Sequence, residues 1–326
     1  MIVREYFAMK SVSLSTVFGS VWKFLRNNPV LCLAGVLAAA SSVVVPPDGE
    51  YLKYLDFRTL TCLFCTLAVV CALKDVHFFT ILAQRLVRLT GSLRTAVFAL
   101  VVITFLGSMV LANDMALLTF LPLGYTVLAS TENQNYLAPV FILQNISANL
   151  GGMLTPFGNP QNLYLYSYFS IPAGEFMKIM FPPFLLAVLL LGGCCLFFPG
   201  KKLTLSIQTM GKLITKRSVF YLTLFVFSVA IVFRLFPYWI GLIIVPLALF
   251  FTDRKALREV DYGLLLTFVF FFVFAGNLSR VELIRRVLSG WLAQEPLLVS
   301  IASCQVISNV PSAVLLSNFT TDYAPL

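Results

Sequence analysis

The stretch NLGGMLTPFGNPQN, residues 149–162, decides the fold of this chain. It holds three Gly, two Pro and three Asn, yet it lies inside an apolar segment that runs from about Tyr136 to Ile171. Glycine weakens a helix and proline removes a backbone donor, so a helix entering this stretch is expected to break. Because an unpaired backbone group in hydrocarbon costs several kcal/mol, such a break persists in a membrane only where it lines a protein cavity. The stretch therefore predicts half of a binding site for a small solute inside a transporter.

The composition of the whole chain is that of a polytopic membrane protein. Of its 326 residues, 59% are apolar and 11% are charged, whereas a soluble domain has about 25% charged residues. Several apolar runs are long enough, or nearly so, to cross roughly 30 Å of hydrocarbon. They lie near Val30–Pro47, Leu60–Lys74, Met177–Pro199, Ser218–Leu235, Trp239–Thr252 and Tyr262–Asn277.

The basic residues predict an orientation in the membrane. The net charge is +9, and the loop 201–217 carries five basic residues without an acid. By the positive-inside rule, this loop and the basic N-terminal segment are cytoplasmic. We therefore assign the charge to orientation and to contacts with membrane lipids, not to nucleic acid, and place the protein in the cytoplasmic (inner) membrane.

Two stretches of the chain match in the order of their parts. Each begins with an Asp, crosses an apolar span and a basic amphipathic piece, and reaches a hairpin with a polar tip. The first runs from Asp56 to a tip at Asn113, and the second from Asp261 to a tip at Ser308 and Asn309. Counting spans from a cytoplasmic N-terminus puts Asp56 outside and Asp261 inside. The two copies are then inverted, as expected of a secondary transporter.

The second copy is expected to be incomplete. In the first copy the broken helix follows the tip by about 36 residues, whereas the chain ends at Leu326, about 17 residues after Asn309. We therefore expect the second broken helix to be missing. The predicted parts are an N-terminal segment with the first scaffold helix (1–54), repeat 1 (55–176), scaffold helices with the basic loop (177–259) and a truncated repeat 2 (260–326).

Three motifs resemble those of the ion transporter superfamily: the hairpin tip at 112–114, the broken helix at 147–162 and Ser-Asn-Val-Pro at 308–311. More narrowly, the chain resembles the citrate transporter-like group of anion permeases. This group includes dicarboxylate–sodium symporters, sodium–proton antiporters and arsenite permeases. The first tip reads Ala-Asn-Asp where the dicarboxylate branch has Ser-Asn-Thr, and so looks closer to the antiporters and arsenite permeases. The resemblance implies a homodimer with a scaffold domain and an elevator-type transport domain, which holds substrate and coupling ion near mid-membrane.

Asp114 is the sharpest candidate for chemistry, because it is the acidic residue that lies well inside an apolar segment. A buried carboxylate is costly unless it is paired, protonated or bound to a cation. We expect it to bind Na⁺ or to carry H⁺; the alternative is a cap on the second hairpin arm. The coupling-ion site is assigned to Asn113, Asp114, Asn149 and Gly151, with Na⁺ at Asp114 and Asn113. The substrate site is assigned to Asn113, Thr155, Asn159, Asn162, Ser308 and Asn309.

These features favour a secondary transporter of a small anion, a carboxylate or an inorganic oxyanion, coupled to Na⁺ or H⁺. A Na⁺/H⁺ antiporter without organic substrate and an arsenite-type permease are the alternatives. An intramembrane enzyme is disfavoured, since the sequence has no second buried Asp, no H-E-x-x-H and no G-x-S-x-G. We therefore assign no catalytic residue, and no cofactor beyond the coupling ion.

Overall fold

The computed structural model describes residues 28–111, 113–203 and 215–326, and for Asp114 the backbone only. Within these residues the regular structure is helical, apart from a single β-bridge between Ser92 and Lys202. The helices are α1 (Pro29–Val44), α2 (Tyr51–Tyr54), α3 (Phe57–Asp75), α4 (Phe78–Arg88), α5 (Leu93–Ser108), α6 (Asn113–Ser130), α7 (Leu137–Gly151), α8 (Pro160–Tyr168), α9 (Ala173–Leu196), α10 (Lys216–Val232), α11 (Tyr238–Thr252), α12 (Arg254–Arg258), α13 (Tyr262–Ser279), α14 (Glu282–Gln294), α15 (Pro296–Ile307) and α16 (Asn309–Leu316).

Four helical segments of the described chain are long and apolar enough to cross a membrane. They are Phe57–Asp75, Gln134–Leu154, Ala173–Leu196 and Arg254–Ser279. Several further helices are apolar but shorter, among them α1, both arms of the first hairpin (α5 and α6) and α11. The expected all-α polytopic membrane fold is confirmed.

Contacts at the helix ends show which way α1 and α13 run. The two helices pack side by side, and Asn28 lies next to Gly263 where both begin. Where both end, the side-chain amide of Asn277 donates to Ser41 Oγ, 3.1 Å away. The two helices are therefore parallel.

Helix α3 runs in the opposite direction to α13. Its last residue, Asp75, forms an ion pair of 2.8 Å with Lys255, shortly before α13 begins. At the other end Asp48, shortly before α3 begins, pairs at 2.8 Å with Arg280, which follows α13. We call the end of the molecule with the Asp75–Lys255 pair the Asp75 face, and the end with the Asp48–Arg280 pair the Asp48 face.

The two Asp residues that open the sequence copies play the same local role. Asp56 accepts a hydrogen bond from the backbone N–H of Thr59 at 3.0 Å, and Asp261 accepts one from Leu264 at 2.8 Å. Each carboxylate thus caps the N-terminus of a long apolar helix, where backbone donors lack partners. Equivalent caps on antiparallel helices are what an inverted repeat requires, although the full repeat stays a prediction.

Candidate functional site

The predicted helix break lies where the sequence places it. Helix α7 ends at Gly151, a 3₁₀ turn covers Gly152–Leu154, and α8 begins at Pro160. Between them, Thr155 is extended and accepts a turn hydrogen bond from Gly158 at 3.2 Å. Proline is favoured at the first helical position because the N–H it lacks would have no partner there.

Asn162 holds the break in shape. Its amide nitrogen lies 3.3 Å from the carbonyl oxygen of Gly152, 3.0 Å from that of Met153 and 3.4 Å from that of Thr155. Its two amide hydrogens are thus shared among three carbonyls that the interrupted helix leaves without helical partners. The sequence analysis assigned Asn162 to the substrate site. The structure adds a second role, in which its amide nitrogen stabilises the backbone of the break.

The glycines of the break permit close approach between backbone segments. A Cβ on Gly151 would collide with the backbone oxygen of Phe105 and the hydroxyl of Ser108, both on α5. A Cβ on Gly152 would meet Asn159 Oδ1 and the backbone oxygen of Gly158. Any larger residue at these two positions would therefore push the break away from its neighbours.

Three of the predicted ligand residues carry buried side-chain oxygens that have no hydrogen-bond partner within the described chain. They are Asn113 Oδ1, Thr155 Oγ1 and Asn159 Oδ1. Buried polar atoms are usually satisfied, and an unsatisfied one costs about 1–3 kcal/mol. Such oxygens are suitable ligands for a hard cation or a bound water.

A chain of side-chain amides joins the first hairpin tip to α7. The amide nitrogen of Asn113 donates to Asn149 Oδ1 at 3.1 Å. Asn149 in turn donates to the backbone oxygen of Asn145 at 2.9 Å and to its Oδ1 at 3.0 Å. The sequence analysis missed Asn145, although its spacing of four residues from Asn149 puts both on one helix face.

A cavity of about 280 Å³ lies between the broken helix and the second hairpin. Four of the predicted residues line it: Asn149, Asn159, Asn162 and Asn309. Its apolar walls include Ile171, Phe176 and Met180, and Tyr323 and Leu326 also contribute. Asn113, Thr155 and Ser308 are outside this lining, and Asn113 reaches it only through Asn149.

Two helix N-termini meet at the cavity. Helix α8 begins directly after Asn159, and α16 begins at Asn309. Ser308, between α15 and α16, has the positive φ of 74° that breaks the second hairpin at its predicted tip. A helix N-terminus carries roughly half a positive charge and exposes backbone N–H groups, so both ends favour an anion in this space.

Comparison with known proteins shows the family of this chain. The profile of the family described as citrate transporter matches residues 17–326. This chain belongs to the citrate transporter family.

Of three relatives of this family member, two are named as transporters and one as an inner membrane protein. An uncharacterized transporter of Methanocaldococcus jannaschii is 29% identical over 295 residues, which are 90% of this chain and 80% of the relative. The inner membrane protein YbiR of Escherichia coli is 30% identical over 279 residues, covering 81% and 72%. The silicon efflux transporter LSI3 of rice, Oryza sativa, is 31% identical over 190 residues, covering 55% and 37%. The chain is an integral membrane transporter of the anion permease type.

Asp114 lies in the first turn of α6 in this citrate transporter family member. Its side chain is outside the described residues. Its assignment to the coupling ion therefore stays a prediction from the sequence.

Gln144 is a buried polar residue that the sequence analysis missed. It lies on α7, and its amide nitrogen donates to Thr104 Oγ1 on α5 and to the backbone oxygen of Phe120 on α6, each at 3.1 Å. Its Oε1 is buried without a partner in the described chain. Gly124 leaves room for this oxygen, since a Cβ there would meet it. One amide thus ties the broken helix to both arms of the first hairpin.

Arg234 was also missed. It follows α10 and donates to the backbone oxygens of Ser170 at 3.0 Å and Tyr166 at 2.7 Å, with its guanidinium 4.6 Å from the ring centre of Tyr166. These carbonyls lie at the C-terminal end of α8, where a cation balances the helix dipole. Arg234 therefore anchors the half-helix whose other end faces the cavity.

Proposed function

We propose that this citrate transporter family member is a secondary transporter of a small anion, a carboxylate or an inorganic oxyanion, coupled to Na⁺ or H⁺. The supporting observation is the cavity at which the N-termini of α8 and α16 meet. No arginine or lysine lines this cavity among the described residues. Helix ends and side-chain amides must therefore balance the charge of the anion, and this favours a small one.

The coupling cation is proposed to bind beside the anion. Asn113 and Asn159 each offer a buried oxygen without a partner in the described chain, and Asn149 links the first hairpin tip to the cavity wall. Asp114, next to Asn113 in the sequence, supplies the negative charge that a cation or proton would neutralise. Binding of the cation would order the hairpin tip and favour entry of the anion.

The rice relative is named for silicon efflux. That name supports a small, oxygen-rich inorganic solute as one candidate substrate. A Na⁺/H⁺ antiporter, with Asp114 as the exchange site, is the second candidate function, because the same oxygens suit a cation without any anion. The inner membrane of a bacterial cell is the proposed location, in line with the name of YbiR. Homodimer formation and an elevator mechanism stay predictions from the resemblance.

The test is transport into proteoliposomes made with the purified protein. Labelled citrate, arsenite or ²²Na⁺ is offered outside, with and without sodium and pH gradients. Sodium- or proton-stimulated anion uptake supports the proposal, whereas ²²Na⁺ movement that follows a pH gradient without any anion supports the antiporter.

The variant Asp114→Asn tests whether Asp114 takes part in coupling, with the folding of the variant checked separately. We expect this substitution to lower the rate of coupled uptake at least tenfold. The purification yield should stay unchanged, and the protein should still elute as a single species. Asn135→Ala, which alters an exposed amide outside the cavity, serves as the control and should transport normally. Normal coupled uptake by Asp114→Asn would remove Asp114 from the coupling site.

A further inference from the structure

A second cavity, separate from the one at the helix break, runs along the first arm of the first hairpin. Its volume is about 430 Å³ and its lining is almost wholly apolar. One wall is a stripe on α5 at helical spacing, from Phe98 through Val102 and Leu106 to Val110 just beyond the helix. Residues of α4 and α10 and Phe120 of α6 form the other walls.

The cavity has the length and opening of a site for a hydrocarbon chain. Val110 lies twelve positions after Phe98, which corresponds to about 18 Å along a helix at 1.5 Å per residue. That is close to one leaflet, half of the roughly 30 Å hydrocarbon core. The cavity opens outward, because Leu86, Phe98 and Leu106 in its lining are 42%, 48% and 52% exposed.

Positive charge lies along the helix that borders this cavity. Arg85 is exposed on α4 between Leu82 and Leu86, which both line the cavity. Lys74 is exposed next to the lining residue Leu73. The nearby acid Asp75 already pairs with Lys255. A basic rim beside an apolar channel complements a negatively charged headgroup on an acyl chain.

We propose that an acyl chain of an anionic bilayer phospholipid occupies this cavity, with its phosphate beside Arg85. The chain lies against the stripe on α5 and against Phe120 of the second arm. Its inner end reaches Val110, three residues before the hairpin tip at Asn113. The lipid therefore packs against the hairpin that carries part of the coupling-ion site, and this site does not depend on which anion is transported.

The first experiment measures retained lipid by native mass spectrometry of the purified full chain. The protein is incubated in detergent with equal amounts of phosphatidylglycerol and phosphatidylcholine that carry the same acyl chains. We expect one phosphatidylglycerol per protein to be retained in preference. Arg85→Gln should reduce that preference about fivefold, the usual contribution of one basic side chain at an anionic surface.

Arg285→Gln is the matched control. Arg285 is an exposed arginine on the amphipathic helix α14, which contributes no residue to this cavity. It should leave the preference unchanged. Val102→Trp, which fills the cavity from α5, should lower the retention of both lipids, and thermal unfolding with size-exclusion chromatography checks that this variant still folds.

Three results would overturn the proposal. Equal retention of the two lipids would show that lipid is retained without any selectivity for an anionic headgroup. An equal loss in Arg285→Gln would show a diffuse charge effect. Unchanged retention in a folded Val102→Trp variant would place the acyl chain elsewhere, even if Arg85 contacts the headgroup.

Discussion

Asn159 and Asn162 lie three residues apart at the helix break, but their side chains have different roles. Asn162 gives its amide nitrogen to three backbone carbonyls of the break, whereas the Oδ1 of Asn159 is buried without a partner in the described chain. Asn162 thus stabilises the break, and the oxygen of Asn159 is available for a ligand. Their substitutions should separate stability from binding.

We expect Asn162→Ala to lower thermal stability, because the carbonyls of the break lose their hydrogen bonds to this amide, and a buried carbonyl left without a partner costs about 1–3 kcal/mol. Asn159→Ala should leave the melting temperature close to that of the wild type, since its side chain makes no hydrogen bond within the described residues, but should weaken the binding of citrate or Na⁺. Thermal unfolding in detergent and equilibrium binding of labelled ligand measure the two effects. A large loss of stability in Asn159→Ala would mean that its oxygen has a partner that the proposal leaves out.

The ion pair between Asp48 and Arg280, which lies outside the long apolar helices, makes the stability of the protein depend on pH. The hydrogen bond from Arg280 holds the pKa of the Asp48 carboxyl below its usual range. The contribution of this pair to stability is therefore fully present above the usual carboxyl pKa of about 4 and is lost as pH falls through the lowered value. Because the pair is exposed, the effect is small.

We expect Asp48→Asn to reduce the melting temperature slightly at pH 7, and the difference from wild type to shrink as pH falls below about 4. Glu132→Gln, at an exposed turn, controls for the loss of one negative charge. A constant difference between Asp48→Asn and the wild type at every pH would contradict the assignment to the ion pair.

Single residues also show the limit of reasoning from the sequence. Gly, Pro and Asn act locally on the backbone, so the break at 151–160 and the tip at Ser308 could be predicted from residue type alone. Gln144 and Arg234 act on groups that are distant in sequence, so residue type and spacing give no signal for them. Nothing near Arg234 in the chain indicates that its partners are carbonyls 64 and 68 residues away.

At the scale of elements, the contact between α5 and α7 depends on Gly151. A Cβ at this position would meet a backbone oxygen, which cannot rotate away as a flexible side chain can. We expect Gly151→Ala to separate the two helices and to destabilise the protein by about 1–3 kcal/mol, the usual cost of overpacking. Thermal unfolding and ligand binding are measured, and we expect both the melting temperature and the affinity to fall.

Gly192→Ala on α9 is the matched control for this prediction. A Cβ at Gly192 has no atom within 4 Å, so the change should be neutral or slightly stabilising in a helix. If both variants behaved alike, the approach of α7 to α5 would not be limited by Gly151.

The anchoring of α8 by Arg234 is a second contact between elements. Arg234→Gln removes a charge from two carbonyl contacts and from the ring of Tyr166, and we expect a loss of about 2 kcal/mol. Since α8 begins at the cavity, anion binding should weaken as well. Thermal unfolding and binding of labelled citrate measure the two losses.

Arg254→Gln provides the comparison for Arg234. Arg254 also donates to one backbone oxygen and lies 4.1 Å from a ring centre, but both belong to Phe250, four residues earlier. Both contacts are to a residue one helical turn earlier, so the loss of Arg254 should change stability little and binding not at all. Equal effects of the two substitutions would assign the result to lost charge and not to the anchoring of α8.

For the whole molecule, the sequence predicts which end faces the cytoplasm, and the structure shows which residues share an end. Asn28 lies beside Gly263, and Lys255 pairs with Asp75, so the segment that follows the basic N-terminal residues belongs to the Asp75 face. Asp48 and Arg280 mark the opposite face. If the N-terminus is cytoplasmic, the Asp75 face is cytoplasmic too.

Accessibility of single cysteines tests this orientation. Arg258 is exposed on α12, near the Asp75 face, and Gly49 is exposed in the loop beside Asp48. With the exposed Cys194 changed to Ser, Arg258→Cys and Gly49→Cys are labelled in intact cells by a thiol reagent that cannot cross the membrane. We expect Gly49→Cys to react at once and Arg258→Cys only after the cells are opened, because the positive-inside rule keeps basic loops in the cytoplasm. The reverse order would place the Asp75 face outside the cell and would contradict the orientation predicted from the basic residues.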